Sequence, residues 1–505
     1  MNRRDFLTGG ALVLGTGVPR LLAQPKFTDN PFTLGVASGD PWPDSVVLWT
    51  RLMQNEMPHA AIPVRWRVAH DEKMTRIVRE GTTLAEPEWA HSVHVEVRGL
   101  APDRWYWYQF DVGGPHTRAL SPVGRTKTAP AFSSHPARFA FAFVSCQKYE
   151  SGFYTAIDHL CEEDLSLVIH VGDYIYEKGP AKAIREMPLK TAVTLEDYRA
   201  RYAFYKADLS LQEVHRRFPF IVTPDDHEVA NNYAALIPEK EKDIPGFEKR
   251  RAGAYQAYYE HMPLRSSARP RGVYMQFCRT LPIGRLADFY VLDTRQYRDD
   301  QPCGDGDKAP CEARNSSSST IMGKDQEAWL YRQLAKRNPR WSVLAQQVIL
   351  SQIDLDPGPG ELFMMDKWDG YAAARKRLTD RLIEQKKENA IVLSGDNHNN
   401  WAIDVKADFE NEKSPIVGAE FAGTSLTSGG DGADMAEEYA KALPANPHIR
   451  FHNSQRGYVR CIVTPEQWIS DYRIVPYITR EGAPVSTRAS FVVEAGRPGM
   501  EKAAG

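Results

Sequence analysis

The stretch from Phe139 to Glu177 constrains the fold of this chain most. An apolar run, Phe139-Ala140-Phe141-Ala142-Phe143-Val144, gives way to Ser145-Cys146-Gln147 and then to a helix-like segment, Phe153 to Cys161. A second apolar run, Leu165 to Val171, stops at Gly172-Asp173-Tyr174-Ile175-Tyr176. Short apolar runs separated by a helical segment predict a βαβ unit with parallel strands. In such units reactive groups collect where strands end and loops begin. Both ends here carry potential metal ligands, Cys146 after the first strand and Asp173 and Tyr176 after the second.

The alternation continues downstream. Helices are predicted at Leu195 to Tyr205, Asp325 to Lys336 and Ala372 to Glu384. Strands are predicted at Phe218 to Val222, Arg285 to Asp293, Trp341 to Leu350 and Ala390 to Ser394. This is an α/β pattern. Upstream, Ser45 to Arg51, Val64 to Val68, Ser92 to Val97 and Trp105 to Val112 are strand-like at short spacing, with no helical period. They predict a small β-sandwich of fibronectin or immunoglobulin type over residues 28–130. Thr126 to Pro136 reads as a linker, residues 138–495 as the catalytic region, and the tail after Arg497 as frayed. A chain of 505 residues is too long for one simple core, in keeping with two domains.

A net charge of −2 argues against a dedicated nucleic-acid binder but leaves an anionic substrate open. Asn2-Arg3-Arg4-Asp5-Phe6-Leu7, the weakly apolar run Thr8 to Val18 and Leu21-Leu22-Ala23 form a twin-arginine signal over residues 1–24. The expected partner is the twin-arginine export machinery, and the expected location periplasmic or secreted. Among six cysteines, Cys303 and Cys311 flank a loop rich in Gly, Asp and Pro that a disulfide could close, a pairing the sequence leaves open. Cys161, Cys278 and Cys461 read as buried packing residues. Cys146, at a strand end, reads as a thiolate that a metal could cap.

Three strand ends carry acids or histidines: Gly172-Asp173-Tyr174-Ile175-Tyr176, Thr223-Pro224-Asp225-Asp226-His227-Glu228, and Gly395-Asp396-Asn397-His398-Asn399-Asn400. A carboxylate at the end of a buried strand is costly to desolvate unless it is paired, hydrogen-bonded or metal-bound. One such end is commonplace, and capped loops with satisfied carboxylates would explain it. Three in one α/β region point to a shared metal centre.

The order Gly-Asp-x-x-Tyr, Asp-His-Glu, Gly-Asp-x-His resembles the calcineurin-like metallophosphoesterases, and within them the PhoD-type alkaline phosphatase/phosphodiesterase branch. Leu34 to Pro41, Leu292-Asp293-Thr294-Arg295-Gln296-Tyr297-Arg298, Gln326 to Leu330 and Trp368-Asp369-Gly370-Tyr371 extend the likeness over nearly the whole mature chain. The resemblance implies a four-layer αββα metallophosphoesterase domain after the β-sandwich. It implies Cys146, Asp173, Tyr176, Asp226, Asp396 and His398 as metal ligands, with Asp173 shared. It also implies a ferric iron–calcium cluster, with Cys146 and Tyr176 on iron. Ser145-Cys146-Gln147 departs from the superfamily's Asp-x-His but fits this branch. Carboxylate-rich sites with few imidazoles favour hard cations, and thiolate with phenolate suits ferric iron. The superfamily's additional lone histidine has no clear place here; His261 is the candidate by order, although Glu260-His261-Met262-Pro263 reads more like a helix end.

Further roles follow as expectations. His227 would give a proton or hydrogen bond to the leaving oxygen, or orient Asp226. Arg295 would clamp a phosphate oxygen, or pair with Asp293 or Asp299. Asn231 would bind substrate and Asn232 would cap a helix. The expected activity is metal-dependent hydrolysis of phosphate mono- or diesters by a monomer, with catalytic Asp173, His227 and Arg295. Diester hydrolysis at phospholipid headgroups is the alternative, and a non-catalytic binder stapled by metal is a third reading.

Overall fold

The computed structural model describes residues 27–114, 118–180, 182–240 and 243–503. The twin-arginine segment lies outside them. Among the described residues, no helix is long and apolar enough to cross a membrane.

The Phe139 unit folds as its pattern dictates. Strand Phe139–Val144 pairs in parallel with Leu167–His170, and helix Thr155–Leu160 lies between them in sequence. Because side chains alternate across a strand, Phe139, Phe141 and Phe143 enter one core while Ala140, Ala142 and Val144 enter another. The phenylalanine side meets a second sheet: Phe289 of strand Ala287–Val291 stands edge-on to Phe141 at 5.1 Å between centroids. The small-residue side is covered by helices Thr155–Leu160, Leu195–Lys206 and Phe247–His261.

The second sheet alternates likewise. Trp341, Val343, Ile391 and Leu393 face the central core, whereas Leu344, Ala390 and Val392 face helices Lys324–Lys336 and Ala372–Glu384. The layers therefore run helices, sheet, sheet, helices. The first sheet has ten strands, with Phe139–Val144, Leu167–His170 and Pro219–Val222 adjacent; the second has seven, with Ala287–Val291, Trp341–Ala345, Ala390–Ser394 and Ile416–Ala422 in parallel. Both parallel sets end on the side where the three acid- and histidine-bearing blocks lie.

The N-terminal strands divide between two sheets, one of their own and one shared with the downstream region. Val36–Trp42 pairs in parallel with Pro219–Val222, so Val36–Trp42, Ser45–Arg51 and Ser92–Arg98 continue the ten-stranded sheet. Their other face packs on a five-stranded sheet that includes Ile62–Ala69, Ile77–Ala85 and Trp105–Val112. Gly39 is required at the junction, since a Cβ would meet the Pro263 carbonyl oxygen at 2.5 Å and that of Phe220 at 2.7 Å.

Several expectations need correction. Thr126 belongs to strand Gly124–Lys127, and Thr126, Thr128 and Ala129 are buried, so the linker starts later. The tail is tied down, because Glu501–Lys502 pairs with Ser486–Glu494. The strand from Trp341 stops at Ala345. The bridge that the loop between Cys303 and Cys311 allowed is formed. Cys161 and Cys461 are buried as expected, but Cys278 is only half-buried and accepts a hydrogen bond from Gln276 Nε2 at 3.0 Å.

Candidate metal centre

Strand ends approach so closely here that two glycines are obligatory. A Cβ on Gly172, at φ +116°, would meet Asp225 Cβ at 2.4 Å; one on Gly395 would meet Ser145 Oγ at 2.5 Å. The residues that follow turn sharply inward. Cys146, Asp173, Asp396 and His398 all have φ between +57° and +60°, a region costly for non-glycine residues and typical of functional turns. Backbone bonds lock the first two turns together: Cys146 N donates to Gly172 O at 3.1 Å and Gln147 N to Asp173 O at 3.0 Å. Glu228, fully buried, accepts from the backbone nitrogens of Asp173, Tyr174 and Asp225 at 3.2, 2.5 and 2.7 Å. The glutamate of the Asp-His-Glu block is thus a brace between two strand ends.

Three sets of potential ligand atoms each lie within 4.8 Å of one another: Cys146, Asp173 and His398; Asp173, Asp226 and His227; Asp225, Asp226 and Asp396. Asp173 joins the first two sets and Asp226 the last two, so they form one continuous cluster. Tyr176 completes it, its hydroxyl 3.0 Å from His398 Nε2 and accepting from Ser428 Oγ at 2.7 Å. Cys146, Asp173, Tyr176, Asp226, Asp396 and His398, far apart in sequence, therefore converge.

The cluster gathers more acidic groups than the neighbouring cations Arg295, Lys367 and His227 can match. Burial, and secondarily the Asp173 carboxylate, pushes the Cys146 thiol well above its usual range. Burial and then Asp173 and Cys146 do the same to the Tyr176 phenol. Burial raises Asp173 to about 7, His227 opposing and Asp226 reinforcing the rise. Asp225 Oδ2 and Asp226 Oδ1 are buried without a hydrogen-bond partner. Orphaned carboxylate oxygens are expensive in a protein interior, and cations supply the missing partner. Thiol, phenol and carboxylate on one side, and carboxylates on the other, are donors that fit metal ions.

His227 sits beside this cluster. Its Nδ1 is 2.6 Å from Glu177 Oε2, and its ring lies 4.1 Å from that of Tyr176. Burial would lower its pKa, but Glu177, Asp226 and Asp173 together raise it to about 10. Glu177 thus fixes the ring and favours the imidazolium. Asn231 N donates to Glu177 Oε1 at 3.4 Å, so Asn231 shares the carboxylate that holds His227.

Arg295 departs from the expected phosphate clamp. Its side chain is fully buried and its donors are engaged within the protein: Nε to Asp225 Oδ1 at 2.5 Å, Nη1 to both Asp366 oxygens at 2.8 Å, and Nη2 to Asp396 Oδ1 at 3.2 Å. The crowd of carboxylates draws the guanidinium inward and leaves no fork facing out. Its position rules out pairing with Asp299, while Asp293 accepts only its backbone N–H, at 2.9 Å. Asn232 caps no helix: it lies in a left-handed turn (φ +49°) and donates its N–H to Asp226 Oδ2 at 2.6 Å. His261 lies elsewhere, stacked on Tyr202 at 4.9 Å with Nε2 2.6 Å from Arg51 Nη1.

Residues without an assigned role in the sequence also enter the site. Lys367 lies 3.4 Å from Asp366 and forms an ion pair with Asp396. Its signal was adjacency to Trp368-Asp369-Gly370-Tyr371. Glu177 closes the Gly172 block itself. Ser428 had no signal, since a serine in a loop is unremarkable until the fold brings it to Tyr176.

The chain is similar to known proteins in sequence and in fold. Residues 141–472 match the model of the PhoD-like phosphatase family, and residues 18–130 that of the PhoD-like phosphatase N-terminal domain. Alkaline phosphatase D of Bacillus subtilis (strain 168) is 48% identical over 522 aligned positions, covering 99% of this chain and 89% of that protein. The solved structure of PhoD superposes with a TM-score of 0.92 at 49% identity, over 95% of this chain and 93% of the other. A purple acid phosphatase from yellow lupin seeds shares the fold at 14% identity and a TM-score of 0.56, over 91% and 74% of the two chains.

Proposed function

Because the chain belongs to the PhoD-like phosphatase family, an alkaline phosphatase that hydrolyses phosphoesters, we propose that its centre holds ferric iron and calcium. Cys146, Tyr176 and Asp173 would hold the iron; Asp173, Asp226, Asp396 and His398 would complete the cluster. When bound, the cations would neutralise phosphoryl charge and activate water at moderate pH.

The chain's own residues divide the remaining work. Asp173 belongs to two ligand sets and would keep the cations adjacent. His227, held by Glu177 and favoured in its protonated form, presents Nε2 as the donor to the leaving oxygen. Asn231, beside the same Glu177, lines the substrate side. Arg295 acts from beneath as the counter-ion that lets four aspartates crowd together. Lys367, at the edge of those carboxylates, is the cation best placed to meet a phosphate oxygen.

The domain reading is an N-terminal sandwich of fibronectin type over 28–130, a catalytic unit over 138–495, and export through the signal at 1–24. The contiguous hydrophobic core between the sheets of residues 36–112 supports the sandwich. The single observation that carries the chemistry is the convergence of Cys146, Asp173, Asp226, Asp396 and His398 from separate strand ends. Hydrolysis of chromogenic phosphate mono- and diesters, with and without chelator, tests it together with elemental analysis. Turnover lost on chelation and restored by iron and calcium is the expected result. Turnover indifferent to chelation, with neither metal present, would overturn it; a diester-only profile would favour phospholipid headgroups as substrates.

A further inference from the structure

The loop closed by the Cys303–Cys311 disulfide is not a surface ornament. Its residue Asp305 accepts a hydrogen bond from Asn232 Nδ2 at 2.8 Å. Asn232 in turn donates its backbone N–H to Asp226 Oδ2. Gln301, just before the loop, donates Nε2 both to the Asn232 carbonyl at 2.7 Å and to Asp366 Oδ1 at 2.8 Å. The far side of the loop is tied to the segment that carries Asp366 and Lys367. Met365 N donates to Gly306 O at 3.0 Å, and Asp307–Lys308 pairs antiparallel with Phe363–Met364. Met364 Sδ then accepts from Asn397 Nδ2, between the ligands Asp396 and His398, at 3.3 Å. One covalently closed loop therefore reaches the second ligand block through Asn232 and the third through Met364, and pairs directly with the segment that leads into Asp366 and Lys367.

Chain of this composition, with glycines at 304 and 306 in left-handed conformations, has many unfolded alternatives. The cross-link removes many of them. What the loop holds is Asn232 in a left-handed turn, a conformation that asparagine tolerates better than most residues but that still has to be held in place. We propose that Asp305, carried by the disulfide-closed loop, is a positioning residue of the phosphoesterase site. It acts through Asn232 on Asp226, while the loop's strand pairing sets Lys367 against Asp396. The proposal rests on the phosphoesterase reading of the site, deepening it by assigning the wall that holds its rim.

The test compares the full-length, metal-loaded enzyme with Asp305→Ala, Asp305→Asn and the Cys303→Ser/Cys311→Ser double variant. Serine variants are preferred to a thiol reductant, which would compete for the metals. Turnover of a chromogenic phosphate ester is measured beside metal content and amide hydrogen exchange of residues 229–235 and 363–367. Asp305→Ala and the double variant are expected to lose about tenfold in kcat/KM at unchanged metal content, with faster exchange in residues 229–235. The double variant should also quicken exchange in 363–367. Asp305→Asn keeps an oxygen for Asn232 and is expected to stay near the parent. Unchanged exchange in both segments, kcat/KM within about twofold in all variants, or Asp305→Asn as impaired as Asp305→Ala would overturn the proposal. A parent enzyme without turnover would count against the phosphoesterase reading alone, because the exchange measurement still decides the loop's role.

Discussion

At the scale of single residues, the site is a problem of charge. Asp225, Asp226, Asp366 and Asp396 surround one buried guanidinium. Breaking a buried ion pair by removing one partner strands the other charge, at about 3–5 kcal/mol. Arg295→Gln is therefore expected to lower the unfolding midpoint of the chelated protein by a correspondingly large amount. A clamp on substrate would instead weaken inhibition by inorganic phosphate and leave that midpoint alone. Asp173 and Glu177 differ in the same way from one another. Glu177 touches the site only through His227 and Asn231, so Glu177→Gln should lower kcat by roughly 10–100-fold with metals retained. Asp173→Asn removes a donor shared by two ligand sets and should cost more than that range, with metal lost on elemental analysis.

At the scale of elements, helix Leu195–Lys206 carries a second electrostatic feature away from the metal centre. It starts on a capping box, Thr194 with Asp197, and ends on Lys206, whose ammonium is buried against the rings of Trp49 and Tyr174 at 4.4 and 5.2 Å. Burial pushes Lys206 down to about 7. Between that value and the ordinary lysine range the unfolded chain holds more protons than the folded one, so stability must rise with pH across the window. Lys206→Met should flatten that rise, read as the difference in urea midpoint between pH 7 and pH 9.5. Nearby, burial lowers His170 to about 3 and drives His215 and His261 well down. These three stay neutral in the fold, and their effect is lost stability as pH falls below the ordinary histidine value. Both contributions grow with pH, whereas His227, raised to about 10, contributes stability that is lost as pH rises.

At the scale of the whole molecule, the N-terminal region and the catalytic region share a sheet. Without strand Val36–Trp42, the strand Pro219–Val222 that precedes the Asp225-Asp226-His227-Glu228 block would be an exposed edge of buried-type residues. Such edges pair with other chains. Deleting residues 27–130 should therefore give insoluble protein, measured as soluble yield, instead of an independent catalytic unit. Gly39→Ala should strain the same seam, since its Cβ would press on two backbone oxygens that cannot rotate away. Overpacking of this kind costs about 1–3 kcal/mol, measurable by denaturant titration.

The sequence by itself determined the three ligand blocks, because apolar strands that stop at Gly-Asp or Pro-Asp announce where a parallel sheet ends; Phe139–Val144 showed only as one apolar run, and the fold divided its two faces between two cores. It also carried the family likeness that the close relatives bear out. Tertiary structure decided what those residues face. Arg295 lies four residues past the strand that ends at Val291, and its sequence allowed either a phosphate clamp or a pairing with Asp293 or Asp299; only packing showed four carboxylates closing around it. Glu228 read as one letter of a motif until its oxygens were found bracing two strand ends. Lys367 and Ser428, the reach of Cys303–Cys311 over Asn232, and the seam at Gly39 join segments distant in the chain. Periodicity and spacing report local preference, whereas a buried charge chooses its partner by proximity in the folded molecule.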